Sequence, residues 1–225
     1  MLPGMRRDPS QASGRPSRAS GHTSRASGHA SPVSADRHEP LPGLTRLPQW
    51  VWRRLPPAGK VFWGGQGGYS AGHIADFARQ SGKHPAVYNY FISWRATSSD
   101  MHWLSMRLSD STRMKARTLL SVSTDGTGLT PAALALGAGD GFLVALCHLL
   151  AERAQVTYLR PLSEMNNGNN SYSAYDLSGR PRGPAFSTGE FKRAWRRLAL
   201  VVRGGEVAAI NDRLRRLGMP PVQTA

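Results

Sequence analysis

Val156-Thr-Tyr-Leu-Arg-Pro-Leu-Ser-Glu-Met-Asn-Asn-Gly-Asn-Asn-Ser-Tyr172 runs from an apolar segment into a polar loop around one carboxylate, Glu164. Its first four residues are of the β-branched and aromatic kind that makes a buried strand. Arg160-Pro161 then leads to Glu164, and the Asn- and Gly-rich remainder has the chemistry of a loop. Asn166, Asn167, Asn169 and Asn170 offer uncharged donors and acceptors, while Tyr172 and Tyr175 offer flat apolar faces. One acid at a strand end, beside amides and aromatics, suits a site that holds a sugar and protonates its leaving oxygen. The same residues also fit a plain turn in which Glu164 pairs with Arg160.

Arg160-Pro-Leu-Ser-Glu-Met-Asn-Asn-Gly168 resembles the strand-4 signature of glycoside hydrolase family 26, the β-mannanase-type (β/α)8 barrels of clan A. In that family a strand arginine leads into a His-Glu-Met-Asn-like segment whose Glu is the catalytic acid/base. The resemblance implies that Glu164 is the proton donor, Arg160 the strand arginine and Asn166 the neighbouring amide. Ser163 stands where the family usually has His, which alters the hydrogen bonding around the acid. Asn167, Trp94, Tyr69 and Tyr172 complete the expected substrate-binding set. The resemblance spans roughly residues 61–222 and includes Trp63-Gly-Gly-Gln-Gly-Gly-Tyr69.

The 225 residues, 40% of them hydrophobic, suffice for one domain of ordinary size. The formal charge of +15 could mark a nucleic-acid or polyanion partner. About six of those charges fall in residues 1–58, however, and another cluster, Arg180 to Arg216, lies mostly on the polar faces of two expected helices. With no Gly-aromatic RNA motif, zinc knuckle or helix-turn-helix pattern, a solvated basic surface accounts for the charge better than a nucleic-acid groove.

Cys147 is the only cysteine, which excludes an intramolecular disulfide and a cysteine-rich metal site. Its apolar neighbourhood predicts a small buried thiol. The loop Gly64-Gly-Gln-Gly-Gly68 lacks both the dinucleotide fingerprint and the Walker Lys-Ser/Thr, so no cofactor is expected. A close backbone approach is its plainer explanation. No run reaches the length of a membrane span. Secretion is implied by the resemblance alone, since Arg6-Arg7 is followed by Asp8-Pro-Ser-Gln and not by an apolar region.

Residues 1–57 read as a disordered low-complexity tail and linker. Ser17-Arg-Ala-Ser-Gly-His-Thr23 recurs almost unchanged as Ser24-Arg-Ala-Ser-Gly-His-Ala30, and such a composition cannot bury enough apolar surface to offset the entropy of ordering. Leu41 to Leu55, which is more apolar, reads as a linker docking on the domain. From residue 58 onward, strands are expected at Lys60–Trp63, Ala86–Ile92, Thr118–Val122 and Val156–Leu159. Helices are expected at Ala71–Gln80, from His102 to about Lys115, at Pro131–Leu136 and at Gly141–Arg153, with Asp140 capping the last. Ser187-Thr-Gly-Glu190 reads as a capping box. It opens a helix with Phe191, Ala194, Trp195, Leu198, Val201 and Val202 as its apolar stripe, and Val207 to Leu217 forms one more.

This alternation predicts an α/β fold of parallel (β/α) units with right-handed crossovers. Chemistry then belongs at the C-terminal strand ends, where Gly65–Tyr69, Trp94, Asp125 and Glu164 fall. Asp125-Gly126 is also ordinary turn chemistry, and Trp94 is either core packing or a platform for a pyranose ring. A complete barrel takes about 250 residues, so residues 58–225 are expected to supply four of the eight units, a truncated barrel. The resemblance places the nucleophile on a seventh strand, beyond those four. Two function classes follow. One is a retaining hydrolase of β-mannan or a related β-glycan in an incomplete copy; the other is a non-catalytic carbohydrate-binding half-barrel. Either takes a polysaccharide or oligosaccharide as partner. The unpaired edges of a half-barrel invite self-association or a missing C-terminal half.

Overall fold

The apolar runs of the sequence meet as a four-stranded sheet in the computed structural model, which describes residues 44–49, 55–94, 98–153 and 155–223. All of these belong to one compact unit, Arg37–Ala225. The expected disorder falls largely on residues outside the described ones. Within the expected linker, Arg46–Leu47 (β1) pairs antiparallel with Gly205–Glu206 (β6), and Leu47 is buried.

The sheet is Gly64–Gln66 (β2), Val87–Ser93 (β3), Arg117–Ser123 (β4) and Thr157–Pro161 (β5), all parallel and in sequence order. Its crossovers carry Ala71–Ser81 (α1), Ser98–Arg113 (α2), and Pro131–Ala135 (α3) with Asp140–Arg153 (α4). Sequential order with right-handed crossovers places these helices on one face. Alternation along the strands agrees, since successive side chains point to opposite faces. Tyr88 and Tyr90 point to the helical side, where Phe77 of α1 meets the Tyr88 ring edge-on at 6.3 Å and Ser111 of α2 donates to the Tyr90 hydroxyl at 3.2 Å. On the other face Ser121 donates to Asn89 at 2.9 Å, and Arg117 donates to the Tyr158 hydroxyl at 2.9 Å while lying over the Phe62 ring.

The first sheet strand is displaced from its expected place. Lys60–Trp63 is irregular, and the ladder forms on Gly64–Gln66. A Cβ at Gly64 would stand 2.8 Å from the Val87 carbonyl oxygen, so the close approach to β3 requires glycine there. The helix α1 ends as the sequence predicts, with Gly82 in the left-handed region at φ 65°.

Beyond the sheet, Thr188–Arg203 (α5) packs on α3 and α4, and Val207–Arg216 (α6) packs on α5. Ser187 caps α5 by accepting from Glu190 N, but the Glu190 carboxylate turns to Arg193 at 2.9 Å instead of closing the capping box. Two further expectations are corrected here. Asp140 does not cap α4 with its side chain; it is buried and pairs with Arg197. Arg197 accordingly belongs to the core and not to the polar face, while Trp195 of the expected stripe is 39% exposed.

Candidate functional site

The strand β5 ends at Pro161, and the chain leaves it through two residues in left-handed backbone, Leu162 (φ 49°) and Glu164 (φ 58°). That region is costly for residues with a branched or long side chain, roughly 1–2 kcal/mol each. Several contacts hold the chain there. Leu162 is buried and donates its N–H to the Val122 carbonyl at 2.9 Å, extending the ladder by one residue. The Tyr172 hydroxyl donates to the Ser163 carbonyl at 2.5 Å, and the Asn170 amide donates to the Glu164 carbonyl at 2.9 Å. Asn167 N–H closes the turn on the same Glu164 carbonyl at 2.9 Å.

With its backbone thus fixed, Glu164 presents a carboxylate that is 58% exposed. Arg160 Nη2 lies 3.7 Å from one oxygen, and Asn167 Nδ2 donates to the other at 3.2 Å. An exposed pair of this kind adds about 0–1 kcal/mol to stability. Little energy therefore opposes exchanging it for hydroxyl groups of a ligand. Asn166 is exposed on the same turn. Arg160, Glu164, Asn166 and Asn167 thus meet at the C-terminal end of β5.

Three other expected site residues lie elsewhere or do different work. Trp94 is 3% exposed, its ring 5.4 Å from that of Phe142, with Nε1 donating to the Gly139 carbonyl at 3.1 Å. No face of the ring is open to a pyranose, so core packing is its role. Tyr172 is 2% exposed and likewise gives no platform; its hydroxyl positions the Glu164 backbone. Burial, followed by the charge of Asp125, pushes the Tyr172 hydroxyl above its ordinary value, so it stays a donor. Tyr69 is 52% exposed, but it follows β2 at one sheet edge while Glu164 follows β5 at the other. Three strand spacings, about 14 Å, separate those edges.

Asp125, after β4, ties the neighbouring loop down. One of its oxygens accepts from the Ser171 N–H at 2.7 Å and from the Ser171 hydroxyl at 2.6 Å, and the other accepts from Ser123 at 2.5 Å. Burial tends to raise this carboxyl, but the bonds from Ser123 and Ser171 and the Arg182 charge outweigh it and hold it below the usual carboxylate value. Arg182 also donates to the Gly168 carbonyl at 2.6 Å. The expected set of sugar-facing amides leaves out Ser123, Ser171 and Arg182, which carry these bonds. The propensity of Asn and Ser to bond nearby backbone was the available signal.

Among the described residues no group of three or more His, Cys, Asp or Glu side chains could hold a metal ion. Comparison of the chain with protein-family models and with curated proteins returned no match.

Proposed function

We propose that the end of β5 is a carbohydrate site of the glycoside hydrolase family 26 type, with Glu164 as its acid/base and β-mannan or a related β-glycan as its ligand. The observation that carries this reading is the outward-held Glu164 carboxylate, flanked by Arg160 and Asn167 at the C-terminal end of a parallel strand. Chemistry in parallel α/β folds gathers at that end. Four consecutive parallel strands with their helices on one face also suit an arc of a (β/α) barrel. In this reading Glu164 protonates the glycosidic oxygen and later takes the proton from water, while Arg160 and Asn167 orient the carboxyl and the sugar hydroxyls.

Retaining hydrolysis needs a second carboxylate about 5–5.5 Å away to attack the anomeric carbon. Asp125 does not serve, because both of its oxygens accept hydrogen bonds from Ser123 and Ser171. Turnover therefore takes its nucleophile from outside the described residues. That commitment of Asp125 favours a second reading, in which the same surface binds glycan without cleaving it.

The test is Glu164→Gln against wild type, with manno-oligosaccharides followed by product analysis and by calorimetry. The hydrolase reading expects turnover to fall about 10²–10⁴-fold with affinity kept, the usual share of general acid–base catalysis. Equal turnover in the two proteins refutes the acid role. Binding without turnover in either selects the second reading, and no binding of any β-linked oligosaccharide refutes both.

A further inference from the structure

The geometry points to a separate binding site at the C-terminal end of β3, built to take the carboxylate of a small ring compound on Arg107. A cavity of about 200 Å³ opens there between β3 and α2, lined by Phe91, Met101, Trp103, Arg107 and Phe142. Its volume is below the 300–1,000 Å³ of sites for drug-sized ligands, and it suits a single ring.

The cation is the feature that calls for a ligand. Arg107 makes no ion pair among the described residues, and its Nε is buried with no hydrogen-bond partner. That Nε is closed to water and equally to a ligand, so a ligand in the cavity would meet the terminal Nη edge of the guanidinium. Its nearest acid along α2, Asp110, is already engaged by Arg113 at 2.5 Å and by the Ala71 N–H at 3.2 Å. The Tyr69 ring lies 4.3 Å from the Arg107 guanidinium carbon, which fixes the plane of the fork by a cation–π contact. A planar, oriented guanidinium with a free edge matches a carboxylate bidentately.

The rest of the lining fits the ring that would carry that carboxylate. Trp103 is 53% exposed on the cavity rim, and its face suits a pyranose or an aromatic ring, whereas the Phe91 side chain, in phase with Asn89, points to the other face of the sheet. Asp100 also lines the cavity. It stands two helical turns before Arg107 on the same helix and lines the same cavity, with no ion pair between the two among the described residues. Ring hydroxyls at the far end of the cavity would find it as an acceptor. The shared chemistry is a single-ring carboxylic acid, whether a uronic acid or an aromatic acid. The site is independent of Glu164 and of the glycosidase reading.

The test uses the full chain with methyl-labelled methionine, titrated at about millimolar concentrations with glucuronate and benzoate, and with the neutral methyl ester of each. The Met101 methyl resonance reports on the cavity. Either acid is expected to shift it saturably, with the ester and Arg107→Gln each weakening binding about tenfold or more, and Arg107→Lys less so. A response to glucuronate alone identifies a uronic acid site, and one to benzoate alone an aromatic acid site. The proposal is overturned if neither acid shifts Met101, or if an ester binds as tightly as its acid. Should Arg107→Gln fail to fold, the acid–ester comparison on the wild-type chain still decides.

Discussion

Removing either partner of the Asp140–Arg197 pair should be among the most damaging single changes in this protein. Both side chains are almost fully buried, at 2% and 0% exposure. Arg197 Nε donates to Asp140 at 2.9 Å, its Nη2 reaches the other carboxylate oxygen, and it also donates to the carbonyls of Pro220 at 2.9 Å and Pro221 at 2.8 Å. Asp140 further accepts the Gln223 N–H at 2.8 Å. Asp140→Ala strands a guanidinium in the core and empties that N–H, and breaking a buried pair in this way costs about 3–5 kcal/mol. For a chain of this size each kcal/mol moves Tm by about 2–4 °C, so the midpoint should fall by roughly 6–20 °C. Urea denaturation of Asp140→Ala, Arg197→Met and the double variant measures the effect. The double variant should lose less than the sum of the singles, by about 0.5–3 kcal/mol. The pH dependence carries a sign of its own. Burial pushes the Asp140 carboxyl up, and Arg197 partly pulls it back. In Arg197→Met that pull is gone, and the folded carboxyl lies well above its unfolded value. Proton uptake then favours the folded state as pH falls toward 3.8, so the deficit of Arg197→Met should shrink on acidification. A loss under about 1 kcal/mol in Asp140→Ala, or additivity within about 0.5 kcal/mol, would refute the reasoning.

Asp125→Asn should flatten the acid limb of the stability curve. The folded Asp125 carboxyl lies below its ordinary 3.8, so the stability it contributes is complete above that value and is lost as pH falls through the folded one. Denaturation midpoints between pH 5 and 2 should accordingly fall less steeply in the variant than in wild type (the interval over which such carboxylates titrate). Trp94→Ala should cost about 3–5 kcal/mol, the usual figure for deleting a buried aromatic. Oligosaccharide affinity measured on the folded variant should be unchanged; a selective loss of affinity at full folding would restore the platform role.

The parallel (β/α) order was legible because each strand and helix carries its own local pattern, and β3, β4 and α1 fall within a residue or two of their expected places. What local pattern could not show is pairing. The ladder settles on Gly64–Gln66, which has no strand propensity, because the β3 backbone comes within reach only where no Cβ intervenes. The two-residue β1 depends on Gly205 and Glu206, far along the chain, and has no local signal. Arg197 was a different kind of miss. It lies three residues after Ala194 and four before Val201, both buried, so helical phase alone put it on the core stripe. Taking the Arg180–Arg216 cluster as mostly polar-face charge passes over this exception. At the candidate site, Glu164, Arg160 and Asn167 were legible as neighbours in a short segment. The separation of Tyr69 and the burial of Trp94 and Tyr172 came only with the sheet order and the core.

The manner in which Glu164 is held bears on its role. A turn that only reversed the chain after β5 would place glycine or asparagine in the left-handed positions, at little cost. Here leucine and glutamate occupy them, although asparagines follow only two and three residues later, at Asn166 and Asn167. Strain of this kind persists only where surrounding contacts over-determine it, and it gathers at functional sites. The over-determining contacts are specific: Leu162 is anchored in the core and on the Val122 carbonyl, Tyr172 holds the Ser163 carbonyl, and Asn170 and Asn167 hold that of Glu164. Asp125, through Ser171, fixes the residue next to Tyr172. These contacts fix the Glu164 backbone while leaving its carboxylate open to solvent. A residue needed only for its pairing with Arg160 would not require that support, since the pair itself contributes so little. The balance of cost and support therefore favours a carboxylate kept in place for a ligand.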